Sequence, residues 1–234
     1  MSKSLVLLMI VVCPAVLAAQ VGHAPERSPY RDITGRTSLV LQGGLLGGSG
    51  GLLDIGPTGG ALYGFRLETV LSGPTDGFLG FTRGRPERML VDPTAPEASR
   101  VSGPESQSLV IVDAGLTILL AGEKTWNGLA PFVGASLGMG FATTPAADTT
   151  SGFRFNAKLV TGPHVGVRWY ATRSISLRAE GRLLFWQLKY PSLFFQSPAG
   201  APNDPPVLDP ASSPDSEWTS HPVLHFGLGI AFRL

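Results

Sequence analysis

The chain is poor in charged residues and lacks the long apolar runs of a helical membrane protein. Asp, Glu, Lys and Arg make up 15% of its 234 residues, against roughly 25% in a typical soluble domain. A membrane-spanning helix needs about 20 consecutive apolar residues, and no such run follows residue 19. The formal net charge of +1 indicates no excess of basic residues for nucleic acid. These shortages exclude a helical membrane protein and argue against a nucleic-acid partner.

Cysteine occurs once, at Cys13, inside an N-terminal segment that has the features of a secretory signal peptide. In this segment, residues 1–19, Lys3 provides the positive start and residues 5–12 form the apolar stretch. We expect cleavage after this segment, followed by a short periplasmic lead over residues 20–36. The exported chain then contains no cysteine, which excludes disulfides, thiol catalysis and thiolate metal sites.

Beyond the lead, apolar residues alternate with small or polar residues in runs that turn-rich stretches separate. Alternation with a period of two predicts β-strands with two unlike faces. We count eight such runs, near residues 37–46, 59–71, 77–83, 106–121, 129–142, 152–170, 174–189 and 221–234. The pattern therefore predicts an all-β fold.

The two faces differ most clearly in the run 152–170. Its odd positions, from Phe153 to Trp169, carry no charge, whereas its even positions include Arg154, Lys158 and Arg168. In a membrane barrel the bulky uncharged face meets lipid and the polar face lines the lumen. Glycine is frequent on the polar faces, and small residues suit the crowded interior of a narrow barrel. The pattern favours a membrane barrel over a soluble sandwich.

The tryptophans and the connections favour the same interpretation. All four tryptophans fall near the ends of runs, where an interfacial aromatic girdle is expected: Trp126, Trp169, Trp186 and Trp218. Long and short connections alternate, as in barrels with long extracellular loops and short periplasmic turns. The predicted extracellular connections are 47–58, 84–105, 143–151 and 190–220. We predict a closed antiparallel transmembrane β-barrel of about eight strands, with up-and-down topology, over residues 37–234.

The last run, Leu224-His225-Phe226-Gly227-Leu228-Gly229-Ile230-Ala231-Phe232-Arg233-Leu234, resembles the C-terminal strand of bacterial outer-membrane barrels. In layout, residues 37–234 resemble the small eight-stranded barrels of the OmpA-transmembrane-domain, OmpX and OmpW-like group. The resemblance implies a bacterial outer-membrane location after signal-directed export. It also implies outer-membrane lipids and lipopolysaccharide as surroundings, the barrel-assembly machinery as a partner during biogenesis, and no catalytic motif. We favour a monomer.

Charged residues on the polar faces form the candidate site. The set is Arg66, Glu68, Asp113, Arg154, Lys158, Arg168, Arg178, Glu180, Arg182 and Arg233. Side chains fill an eight-stranded barrel, so these charges must pair with each other or with water. We predict a network that packs the lumen. Within it, we expect Glu180, opposite His164, to pair with Arg168 or Arg154 rather than with Arg178 or Arg182 of its own strand.

Three classes of function stay open. A structural or surface-interaction role would use the loops, with Leu193, Phe194 and Phe195 as candidate contacts. A surplus of positive charge in the lumen would suit a porin-like passage for small solutes or apolar ligands. A lipid-modifying barrel enzyme, an acyl hydrolase or transferase, needs a nucleophilic serine near a histidine and an acid. Ser220 and His221 are neighbours on a strand and should face opposite ways, so we predict no enzymatic activity, no cofactor and no metal.

Overall fold

The computed structural model describes residues 28–33, 37–198 and 204–232. Its strands are β1 (Tyr30–Asp32), β2 (Thr37–Leu46), β3 (Ala61–Ser72), β4 (Thr75–Gly84), β5 (Glu87–Val91), β6 (Val101–Ser106), β7 (Leu109–Leu119), β8 (Lys124–Trp126), β9 (Leu129–Ala142), β10 (Asn156–Tyr170), β11 (Ile175–Lys189) and β12 (Ser216–Phe232). Two short 3-10 helices, Glu97–Ser99 and Ser192–Phe195, lie in connections. None of the helices in these ranges has the length and apolar character needed to cross a membrane. The predicted signal peptide lies outside the described residues.

Eight of the strands form a closed antiparallel barrel. Pairing runs in chain order from β2 through β3, β4, β7, β9, β10 and β11 to β12, and β12 pairs again with β2. Each barrel strand therefore pairs with its neighbours in chain order, which is up-and-down topology. The predicted fold class is confirmed.

The alternation of side chains gives the barrel two different surfaces. In β12, Leu224, Phe226 and Leu228 are exposed, whereas His225 between them is buried. The same alternation runs through the other barrel strands, because successive side chains of a strand point to opposite faces. The outside is consequently an apolar band of the kind that faces lipid in membrane barrels.

The start of β10 departs from the prediction. The strand begins at Asn156, which has a φ of 53°, instead of at residue 152. A residue in the left-handed region does not continue β alternation, and the two faces exchange there. Phe153 and Phe155 are buried and Arg154 is exposed. The expectation that these phenylalanines face outward and that Arg154 faces the lumen is therefore wrong.

The connections alternate in length as predicted. At one end of the barrel, the long-connection end, lie residues 47–60, 85–108, 143–155 and 190–215. At the opposite end, the short-connection end, lie residues 73–74, 120–128 and 171–174. Strands β5 and β6 pair as a hairpin within one long connection, and β1 pairs with β8 at the short-connection end.

Candidate functional site

Buried charged side chains occupy the part of the barrel interior nearer the short-connection end. We call this group the ion-pair network; its members are Arg66, Glu68, Asp76, Asp113, Arg168, Arg178, Glu180 and Arg182. Each is at most 6% exposed. Because arginines and carboxylates are equal in number, the network as a whole carries no surplus charge.

Glu180 lies at the centre of this network. Its carboxylate accepts hydrogen bonds from both terminal nitrogens of Arg66, each at 3.0 Å. It also accepts from Arg178 Nε at 2.9 Å, and Arg66 lies a further 3.6 Å from Glu68. A two-pronged arginine–carboxylate contact fixes both orientation and distance.

The predicted partners of Glu180 are wrong. Glu180 lies opposite Gly166 in the ladder, not opposite His164, and Arg168 lies opposite Arg178. The turn at 171–174 is longer than the sequence suggested, which shifts the register. Arg168 instead contacts Asp76 at 2.7 Å and Glu68 at 3.1 Å.

Aromatic rings and hydroxyl groups surround the ion pairs. The guanidinium of Arg66 lies 4.0 Å from the centre of the Phe78 ring, and that of Arg178 lies 4.2 Å from the Phe132 ring. Arg182 contacts both Asp113 and Ser136. The rings cover Arg66 and one side of Arg178, which limits the access of water to their contacts with Glu180.

The interior nearer the long-connection end is apolar and continuous with the connections. This apolar cluster comprises Leu46, Ile55, Leu62, Val91, Leu109, Ile111, Phe153, Phe155, Val160, Leu184, Trp186, Leu188, Tyr190, Phe194, Leu208 and Val223. Trp186 is fully buried, stacked on His221 at 3.7 Å and edge-on to Phe155 at 5.7 Å. Its predicted place in an outer aromatic girdle is therefore wrong, whereas Trp126, Trp169 and Trp218 are exposed.

Polar contacts hold the long connections against the apolar cluster. Arg88 of β5 pairs with Asp148, donates to the Ile55 carbonyl at 3.3 Å, and lies 5.0 Å from the centre of the Phe153 ring. Burial lowers the pKa of Arg88, although the Asp148 carboxylate opposes that shift. The connections are thus folded onto the mouth of the barrel.

Tyr190 makes a second polar contact of this kind. Its hydroxyl donates to Glu217 and accepts from the Leu52 amide at 2.9 Å. Burial and the hydrogen bond to the carboxylate raise the pKa of Tyr190 above its ordinary value. The contact joins the first long connection to β12 at the long-connection end of the barrel.

The remaining candidate residues lie elsewhere. Arg154 and Lys158 line a groove at the long-connection end, and Arg233 lies outside the described residues. Leu193 is 46% exposed and Phe195 is partly buried, but Phe194 is fully buried. Phe194 is therefore not available to contact a partner.

The candidate serine and histidine lie on different faces of β12. Ser220 is exposed, whereas the buried His221 shares a hydrogen bond of 2.9 Å with Thr219. Across the described ranges, no group of three or more His, Cys, Asp or Glu side chains is arranged to hold a metal ion.

Sequence reasoning missed one member of the network, Asp76. The predicted third run began at residue 77, one position too late. Extending the alternation backward from Phe78 would have put Asp76 on the inner face, since residues two apart on a strand share a face.

A cavity of about 430 Å³ opens below the network, at the short-connection end. Glu68, Asp76, Arg168 and Arg178 line it together with Ile33. The cavity ends on the ion pairs, so it leads into the barrel without continuing along it.

Comparison with known proteins identifies the fold but no sequence family. No protein-family profile matches the chain, and no curated protein matches it in sequence. Neisserial surface protein A is similar in structure, with a TM-score of 0.53 and 13% identity over 84% of this chain and 97% of that one. The chain has the fold of a small outer-membrane β-barrel.

Two other barrels match at lower scores. Ail of Yersinia pestis has a TM-score of 0.38 and 12% identity, over 85% of this chain and 99% of its own. The N-terminal barrel domain of Pseudomonas aeruginosa OprF has a TM-score of 0.36 and 15% identity, over 83% and 99%. With TM-scores below 0.5, neither adds to the fold assignment.

Proposed function

We propose that the protein is an outer-membrane β-barrel with a closed lumen, and that its folded long connections have a structural or surface-interaction role outside the cell. The observation that carries the proposal is the filled interior. The ion-pair network and the apolar cluster occupy successive stretches of the same lumen. A barrel filled in this way is a rigid support for the surface that its connections form.

A solute moving along the barrel axis would have to cross both parts. In the first part it must separate Arg66 from Glu180, and breaking one side of a buried ion pair costs about 3–5 kcal/mol. In the second part it must pass the fully buried Trp186 and its stacked neighbour His221. The equal numbers of arginines and carboxylates also remove the surplus positive charge on which an anion passage would depend. The filled lumen thus favours the structural role over passage.

Electrical recording tests the closed lumen directly. The refolded chain, checked for the heat-dependent gel migration of a folded barrel, is inserted into planar lipid bilayers. We expect no discrete conductance steps above the bilayer alone. Reproducible steps from correctly folded protein would overturn the closed lumen and make solute passage the better function.

Single cysteines test the location and the orientation. The exported chain is expected to lack cysteine, so Asp209→Cys in a long connection and Arg173→Cys in a short one can be compared; both positions are exposed. We expect a membrane-impermeant maleimide to label Asp209→Cys on intact cells. Arg173→Cys should react only after the outer membrane is permeabilised, and the parent should not react at all. The reverse pattern would invert the orientation, and a soluble labelled protein would refute the membrane location.

We also infer that the protein is not an enzyme. The support is the separation of Ser220 from His221 onto opposite faces of β12. Release of fatty acid from phospholipid by the purified barrel, lost in Ser220→Ala, would contradict this inference.

A further inference from the structure

The barrel wall opens between β10 and β11 near the long-connection end. Pairing between these strands ends where Thr161 faces Phe185. However, β10 still pairs with β9 as far as Asn156, and β11 still pairs with β12 as far as Lys189. Among the seams of the described barrel, this is the one at which both strands continue without pairing to each other. A groove of about 510 Å³ lies there, which we call the seam groove.

Three basic side chains line the seam groove: Arg154, Lys158 and Lys189. None of them belongs to the ion pairs found in the described parts of the chain. Asp215 is the acidic residue in the lining. Cations gathered in one groove repel each other, so the groove favours an anionic ligand.

The arrangement follows from the local backbone. Because the faces exchange at Asn156, Phe153 and Phe155 turn into the apolar cluster, and Arg154 turns out to the groove. Lys158 approaches the groove from the side of β10 and Lys189 from the end of β11. The same apolar packing that closes the lumen therefore turns Arg154 to the surface.

The seam groove lies at the border of the apolar band that is nearer the long-connection end. Leu159, next to Lys158, is 49% exposed. Trp218 is 57% exposed and pairs with Gln187, two residues before Lys189. Tryptophan is enriched where hydrocarbon meets the headgroup region, and lipid headgroups lie immediately beyond the hydrocarbon core. The basic groups are thus at the depth of lipid phosphates.

We propose that the seam groove binds the phosphate of a phosphorylated glycolipid in the outer leaflet, with the acyl chains against the apolar band below. This inference rests on the proposed function, since it requires a barrel inserted in an outer membrane. The lysines provide the charge, and the open seam provides room for a headgroup between two strands. The neighbouring strands, which are fully paired, offer no such space.

A binding measurement in micelles tests the proposal. The full refolded chain in zwitterionic detergent is titrated with lipid A carrying its phosphates, with dephosphorylated lipid A, and with inorganic phosphate, and bound lipid is counted by native mass spectrometry. The double variant Lys158→Gln/Lys189→Gln is compared with Arg83→Gln/Arg85→Gln. The control removes the same charge from exposed positions near the same end of the barrel.

We expect the lysine variant to bind phosphorylated lipid A about thirtyfold more weakly. That figure corresponds to about 2 kcal/mol, at about 1 kcal/mol for each basic residue near a membrane surface and 1.4 kcal/mol for each factor of ten. The arginine variant should bind within about threefold of the parent, because neither Arg83 nor Arg85 lines the seam groove, and Lys158→Arg/Lys189→Arg should restore most of the affinity.

Four results would overturn the proposal. The first is equal binding of dephosphorylated lipid A, and the second is an equal loss in the arginine variant. The third is displacement of the lipid by inorganic phosphate at the lipid's own concentration, which would indicate a site for free anions. Gel migration of each variant reports folding separately. A folded outer-membrane barrel with unchanged lipid binding in the lysine variant would refute this inference and leave the proposed function standing.

Discussion

Replacing Glu180 by glutamine should be the most damaging single change in the lumen. The substitution keeps the shape of the side chain but removes the negative charge that Arg66 and Arg178 share. Arg66 is then fully buried with Glu68 at 3.6 Å as its remaining carboxylate. Removing one partner of a buried pair costs about 3–5 kcal/mol, because the charge left behind is uncompensated.

Urea unfolding in lipid vesicles, followed by tryptophan fluorescence, measures this cost. With 4 kcal/mol and a slope of about 2 kcal/mol per molar urea, the midpoint should fall by about 2 M. Glu97→Gln is the matched control, since Glu97 is exposed in a long connection and its loss should shift the midpoint by less than about 0.3 M. The double variant Arg66→Met/Glu180→Met should recover part of the loss, because it leaves fewer unpaired charges.

An unchanged midpoint in Glu180→Gln would refute the reasoning. It would mean that water reaches Arg66, or that Glu68 alone neutralises both arginines. The closed-lumen proposal would weaken with it, because a wet network offers a path for ions.

Three further predictions concern the outer face, the apolar cluster and the connections. Val165→Arg should destabilise the barrel in vesicles by about 2–4 kcal/mol, because Val165 is exposed halfway along β10 and a cation near the middle of the lipid face is costly. Ser176→Arg on the inner face should cost far less, and equal folding yields would mean that the faces are misassigned. Phe194→Ala should destabilise the connections by about 3–5 kcal/mol and speed their cleavage by proteinase K. Leu193→Ala, at an exposed position, should leave the cleavage rate unchanged. Equal cleavage rates in the two variants would show that the connections do not pack as a unit. Folding raises the pKa of Tyr190, so the stability that its hydroxyl contributes is present below pH 10, the ordinary pKa of tyrosine, and is lost progressively as the pH rises above it. Proteinase K should therefore cut the connections of the parent faster at pH 11 than at pH 9. In Tyr190→Phe the two cleavage rates should be equal.

The fold follows from local sequence patterns. Period-two alternation depends on the backbone of each strand alone, and the predicted runs overlap all eight barrel strands. Run 37–46 matches β2 at both ends, and run 129–142 matches β9. The positions of the connections follow from the same sequence pattern, because turn-rich stretches separate the runs.

The residues of the candidate site were only partly predictable. Alternation put Arg66, Glu180 and Arg168 on inner faces, because each lies inside a regular run. It failed at Arg154, where one residue with positive φ exchanged the faces, and at Asp76, where the run was begun too late.

Which charges meet was decided by the tertiary structure. Arg66 and Glu180 are 114 residues apart in the chain, and they meet because β12 pairs with β2 and closes the barrel, which brings β3 and β11 within reach of each other across a narrow lumen. The opening between β10 and β11 likewise depends on the tertiary structure. It exists because β10 pairs with β9, and β11 with β12, beyond the point where β10 and β11 stop pairing with each other. The face on which a side chain lies is set by its own strand, whereas an ion pair across the lumen requires the register and curvature of all eight barrel strands.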